Sequence, residues 1–261
     1  MRREVYIRAI ASLSTGEKEP DYSSVLSMNE RRRMGPLLRR AVAVSRQVLS
    51  LGGIPLPDAI ICGTGWGCLE NTELFLRALQ GIDDKPLKPT HFMLSTHNTP
   101  SSTLGISASN HGYNATHSQD FVSFESALLD AFLQIGLGEK DSALVGAFDE
   151  TTEGIAQVVS PLLDIRPSSG ELPFVSMAVL LTSEREGALC ELRDVVLGSG
   201  LPAPTEGRTI HVGDLVPSKG TIPTLSAVAF EKAVGEVEDE GMVHILNDSF
   251  PDTSLCTITK V

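Results

Sequence analysis

"GYNATHSQDFVSFESALLDA", residues 112–131, joins a glycine turn to an alternating segment and then, with no linker, to a helix. NATHSQDF alternates as a strand does, while Phe124, Leu128, Phe132 and Ile135 recur at the spacing of one helix face. Ser123 stands where a helix cap is expected. A strand that runs straight into a helix sets its corner residue beside a buried site, in the field of the helix N-terminus, and such corners often carry a nucleophile. The corner residue here is Phe121. A phenyl ring is neither nucleophile, base nor metal ligand, so this stretch has the layout of an active site without its chemistry.

Working outward, the flanking segments repeat one order. EVYIRAIASLS reads as a first strand, and MNERRRMGPLLRRAVAVSRQVLSLGG as one helix with Leu37, Leu38, Val42, Val44 and Val48 on its apolar side, stopping at Gly52-Gly53. DAIICGTGWG is a buried strand, LENTELFLRALQG a helix closed by Gly81, and PSSTLGISASNHG a short helix capped by Ser101 or Ser102 and ended by Gly112. Strand followed by helix favours parallel pairing. Beyond the central stretch, DSALVGAFDE is a buried strand, while FVSMAVLLTSE and CELRDVVLGSG read as longer, adjacent antiparallel strands. TIPTLSAVAFEKAVGEVE predicts a helix from near Pro223, and GMVHILNDSFPDTSLCTITKV a closing hairpin around NDSFPD. No repeat or linker composition interrupts the chain, which reads as one α/β domain over residues 1–261.

Composition narrows the function classes. Of 261 residues, 33 are acidic and 21 basic, giving a net charge of −12 that repels phosphate backbones and anionic lipid surfaces; neither nucleic acid nor membrane is an expected partner. No apolar run reaches the roughly 18 residues of a bilayer span, and the start, MRREVYIRAIAS, has no secretory pattern, so a cytoplasmic protein is expected. Cys62, Cys68, Cys190 and Cys256 are too irregularly spaced for a disulfide framework or paired metal ligands and read as reduced and buried. The local exception to the acidity is RRRMGPLLRR, with Arg31, Arg32, Arg33, Arg39 and Arg40. It reads either as a solvated helix face or as a surface that receives an acidic partner or a phosphate-bearing arm.

Other motifs carry less. GTGWG, residues 63–67, sits where a phosphate-cradling turn would, but it lacks the dinucleotide spacing and a triphosphate-loop lysine, so its glycines read as close packing and Trp66 as a packing residue. His91, His97, His111 and His117 fall close together, which raises a metal-dependent enzyme as an alternative. Their spacing is not that of a helical ligand pair, and no metal or other cofactor is expected. There is no GxSxG elbow, and no cysteine lies between Cys68 and Cys190, so shifting the helix boundary by a few residues supplies no thiol.

Taken in order, DAIICGTGWGCLENTELFLRAL, GYNATHSQDFVSFESALLDA, SALVGAFDE and FVSMAVLLTSE resemble the amino-terminal half of a β-ketoacyl synthase of the thiolase-like superfamily. RRRMGPLLRRAVAVS fits the same half, and IPTLSAVAF with HILNDSFPDTSLCTITK resembles the end of the second. The resemblance implies a thiolase-like layered α/β fold with a largely complete first half and a strongly reduced second half. It also implies that the acyl-accepting cysteine of active members falls on Phe121, nine positions after Gly112, that one catalytic histidine falls on Pro223, and that the segment holding the other is missing between Ser183 and Lys219. Acyl condensation needs a nucleophile and groups that assist decarboxylation. The chain therefore resembles a chain-length factor of bacterial polyene or pigment pathways, a subunit that pairs with a full-length ketosynthase and shapes its acyl tunnel. On that reading the pairing strand is about Asn114 to Asp120, the channel and interface residues are Leu104, Ile106, Ser107, His111 and Phe121, and the five arginines are a partner-docking surface, with an acyl carrier protein as one candidate for it. A stand-alone homodimer that binds an acyl or other small ligand is the alternative from another class.

Overall fold

Residues that alternate or stay apolar without a break become strands in the computed structural model, which describes residues 2–81, 86–163, 165–201, 204–248 and 253–261. These are β1 (Tyr6–Ser14), β2 (Ala59–Gly63), β3 (Tyr113–His117), β4 (Ser142–Glu150), β5 (Phe174–Thr182), β6 (Cys190–Gly198), β7 (Arg208–His211), β8 (Met242–Asn247) and β9 (Thr253–Thr259). The helices are α1 (Met28–Arg33), α2 (Pro36–Gly52), α3 (Leu69–Leu79), α4 (Pro89–Met93), α5 (Thr99–Ala108), α6 (Ser123–Gly136), α7 (Glu153–Val159), α8 (Val216–Lys219) and α9 (Leu225–Glu240). All nine strands join one sheet in the order β3-β2-β4-β5-β1-β6-β9-β8-β7. β2 runs parallel to β3 and β4, β7 runs parallel to β8, and the other pairings are antiparallel. No helix among the described residues is long and apolar enough to cross a membrane.

The sheet folds around a central helical layer. Along β4, Ala143, Val145 and Ala147 point to one core while Leu144 and Phe148 point to another, which is why these strands read as unbroken apolar runs. Gly146 between them leaves room for the Phe148 ring, since a Cβ there would stand 2.2 Å from it. The first core holds α6 and α9 between β1, β2, β4 and β5 on one side and the inward residues of β6 to β9 on the other. At its centre Phe124 of α6 and Phe230 of α9 meet edge to face, with centroids 5.5 Å apart. The second core lies on the opposite face of the first five strands, under α2 and α5. The first half is thus sheet covered by helices on both faces, and the second contributes four strands, α9 and the short α8.

Three differences from the sequence reading have physical causes. The expected long first helix is two: the capping box of Ser27 and Glu30 starts α1, and Gly35-Pro36 breaks the ladder and restarts it as α2, Pro36 having no N–H to donate. β5 and β6 are not neighbours, because β1 lies between them and pairs with both; its Ile7 carbonyl accepts from Leu189 of the crossing loop. α5 starts at Thr99 after Asn98, with neither Ser101 nor Ser102 capping it, and it ends at Ser109, whose φ of +50° supplies the left-handed stop assigned to Gly112. The closing hairpin forms with β8 and β9 antiparallel; residues 249–252 of its NDSFPD turn lie outside the described residues. The two sheet edges differ. β7 has only four residues, and its Arg208 is paired with Glu236 at 2.6 Å and Glu240 at 3.9 Å, whereas β3 is bonded on one side only, to β2.

Candidate functional site

The corner between β3 and α6 is tightly built. Asp120 adopts a φ of +49°, a left-handed conformation uncommon for a residue with a Cβ, and opens a single 3-10 turn that feeds α6. Ser123 is the first helical residue and not the cap expected of it; its hydroxyl accepts from the Gln119 N–H at 2.8 Å and donates to the Asp120 carbonyl at 2.6 Å, bracing the turn from inside. The end of β2 presses on the same point: a Cβ on Gly63 would stand 2.3 Å from the Ser123 carbonyl oxygen, and one on Gly65 would stand 2.3 Å from Pro223. These glycines are required by close approach.

Around this corner the structure brings together Phe121 and Pro223, the two positions that the resemblance assigns to nucleophile and histidine. Phe121 is half-buried and, with Ile222, Pro223, Ser226 and Asn247, lines a cavity of only about 60 Å³. The Asn247 amide of β8 donates to the Phe121 carbonyl and to Glu125 Oε1, each at 2.8 Å, and Ser254 of β9 donates to the same Oε1 at 2.7 Å. The closing hairpin is thereby fastened to the first turn of α6. Glu125 is fully enclosed, and burial pushes its carboxyl above the usual range, against the opposing pull of Asn247 and Ser254. Sequence reading missed this clamp: a glutamate in a helix's first turn is ordinary surface chemistry, and only the placement of the hairpin over it makes it a core residue.

A second buried carboxylate organises GTGWG. Asp149, at the end of β4, accepts from Thr64 Oγ1 at 2.7 Å and from the Gly65 and Trp66 N–H groups at 3.0 and 2.9 Å. The turn does wrap an anion, but it is the chain's own; the amides that would cradle a phosphate are occupied. All four cysteines are buried. Burial pushes Cys62, Cys68 and Cys190 up to about 12, and Cys256 well above the usual thiol value with Glu125 adding to the effect, so none is a thiolate near neutral pH. Among the described residues no histidine lines the corner cavity. A phenyl ring, a proline, an amide and the buried Ser226 hydroxyl line this place, and the space between them is small.

The remaining sequence candidates are dispersed. Leu104 and Ser107 line a cleft of about 410 Å³ between α2 and α5. Ile106, between them in sequence but on the outer side of the helix, is 81% exposed, and His111 borders a polar surface cleft with Asp58 and Asn110. The five channel residues are therefore not one channel within this chain. The four histidines also separate: His91 Nδ1 lies 3.4 Å from Asn71 Oδ1, His97 lies over Gly67, and His117 Nε2 is 3.0 Å from Asp130. Among the described residues no three His, Cys, Asp or Glu side chains gather in a metal-binding arrangement, so the cluster expected by the metal-enzyme alternative does not form. The arginines split as well. Arg40 is ion-paired with Glu19 and stacked 3.7 Å over Phe174, and Arg31 and Arg39 face the segment carrying Asp21 and Tyr22, while Arg32 and Arg33 line a separate groove. The five arginines therefore do not share one face: Arg32 and Arg33 line the groove, whereas Arg31, on the same short helix, lies on the side of Arg39 and Arg40.

A family model described as "Beta-ketoacyl synthase, N-terminal domain" matches residues 8–194. No curated protein matches the chain. Several solved structures share its fold. "The ishigamide ketosynthase/chain length factor" superposes with a TM-score of 0.73 at 14% identity, covering 99% of each chain. "Ketosynthase (ApeO) in Complex with its Chain Length Factor (ApeC)" from Xenorhabdus doucetiae gives 0.66 at 19% identity, covering 98% of this chain and 99% of that one. A β-ketoacyl synthase from Burkholderia phymatum gives 0.75 at 12% identity over the full length of both. At such identities the likeness speaks to the thiolase-like layering alone, but the family model covers well over half of the sequence. On that match the chain belongs to the β-ketoacyl synthase family.

Proposed function

We propose that this chain is a non-condensing, chain-length-factor-like subunit that pairs with an active ketosynthase and shapes the space available to the growing acyl chain in polyene, fatty-acyl or polyketide synthesis. The observation that carries the reading is the sealed corner: Phe121 and Pro223 flank a cavity too small for an acyl group, with every thiol buried elsewhere. Two features support pairing. The β3 edge leaves a row of backbone groups without a strand partner among the described residues, and α5 beside it presents Ile106 to solvent. Two of the similar structures carry ketosynthase and chain length factor together in their names, which agrees with this role.

Co-expression with a full-length ketosynthase tests the proposal. The two chains are expected to co-purify in equal amounts and to condense acyl units together, with this chain inert alone. Ile106→Asp is expected to leave this chain's own stability within about 0.5 kcal/mol, the range of exposed substitutions, and to weaken the complex at least about tenfold by placing a carboxylate in the interface. Undiminished pairing by the variant would remove α5 from the interface, and condensation by the isolated chain would end the proposal.

A further inference from the structure

A groove of about 700 Å³ lies between α1, α3, α4 and α5, apart from the sealed corner. Three cations line it: Arg32 and Arg33, in the last turn of α1, and Lys88, which immediately precedes α4. None makes a hydrogen bond or ion pair among the described residues, and none of the described lining residues is acidic. In a protein of net charge −12 this is an unusual concentration of unspent positive charge. Met34, Met93 and Leu94 supply an apolar lining, Met93 being 70% exposed. Buried Asn71 also faces the groove; its side chain makes one contact among the described residues, from Oδ1 to His91 at 3.4 Å, leaving its amide N–H groups to donate elsewhere.

The two halves of this lining make different demands. A bare inorganic anion would satisfy the guanidinium groups and leave the apolar wall wet; a hydrocarbon would cover the wall and leave the cations without partners. We propose that the groove binds an amphipathic anion, a carboxylate or phosphate carried on an alkyl tail, with the head held by Arg32, Arg33 and Lys88 and the tail laid over Met34, Met93 and Leu94. The volume falls in the range of small-molecule sites, about 300–1,000 Å³. The inference stands whether or not the chain pairs with a ketosynthase.

Titration calorimetry on the full chain tests it with four probes kept below their micelle concentrations: dodecanoate, dodecyl phosphate, dodecyl maltoside and inorganic phosphate. Saturable one-to-one binding of dodecanoate or dodecyl phosphate is expected, and their order identifies the preferred head. Dodecyl maltoside and inorganic phosphate are each expected to bind at least about tenfold more weakly, since each meets only half of the lining. Arg32→Gln with Arg33→Gln, both exposed positions, should weaken the anionic probe at least about tenfold, and Lys88→Gln should weaken it independently. Equal affinity for dodecyl maltoside, unchanged affinity in both variants, or no saturable binding of either tailed anion would overturn the proposal.

Discussion

Phe121→Ala asks whether the ring fills the corner or merely lies against it. Removing a fully enclosed phenylalanine side chain costs about 3–5 kcal/mol. Phe121 is half-buried, so about half that cost applies, near 2 kcal/mol. The adjoining cavity is only about 60 Å³, and its neighbours Pro223 and Ile222 belong to rigid or fully buried segments that cannot collapse inward, which keeps the cost from relaxing away. The bond from Asn247 ends on the Phe121 carbonyl, so the clamp survives truncation and the measured loss reports the ring alone. For a chain of this size the loss corresponds to a fall in Tm of about 4–8 °C, read by circular dichroism beside urea titration, with Phe121→Leu as a volume-conserving control costing less than about 1.5 kcal/mol. A loss below about 0.5 kcal/mol, the ordinary surface range, would mean that the corner is not filled by this side chain and would refute the sealing argument.

Two further outcomes follow. Phe121→Cys should not give a condensing enzyme, because among the described residues no histidine lines the cavity to activate the thiol or assist decarboxylation; acyl-enzyme detected by mass spectrometry after incubation with an acyl thioester, followed by transfer to an extender unit, would contradict this. Glu150, buried at the end of β4, has its carboxyl pushed up to about 7, chiefly by burial and further by neighbouring Glu70, with the Glu70 backbone N–H and Arg40 pulling it down. Its folded-state value lies above that of the unfolded chain, so it costs nothing below about pH 4.5 and progressively destabilises the fold as pH rises through 7, by at most about 3 kcal/mol. Glu150→Gln should therefore stabilise the protein at pH 8 and leave it nearly unchanged at pH 4.5; an identical pH slope of urea stability in the two proteins would refute it.

Most of the fold was legible because β2, β4 and β5 are buried on both faces and β3 leads straight into α6, patterns fixed by local periodicity. The α1–α2 break was also written in Gly35-Pro36, but the helical spacing on both sides masked it. The position of β1 between β5 and β6 was not legible, since strand order depends on which edges meet across more than a hundred residues. The same limit hid the clamp: Glu125, Asn247 and Ser254 become partners only when the hairpin closes over α6. Phe121 and Pro223 were legible as a pair only through resemblance, whereas the groove drew its cations from two separated segments, Arg32-Arg33 and Lys88, and so had no signature in either.

The unequal ends of the sheet set a limit on assembly. β7 is short and carries a paired arginine, a guarded end; β3, with the sequence YNATH, has neither proline nor lysine, and its outward amides and carbonyls stand ready to receive another strand. With only that end open, a strand added there, from a second copy or from another chain, completes a two-chain assembly, because β7 gives no second edge from which a longer stack could grow.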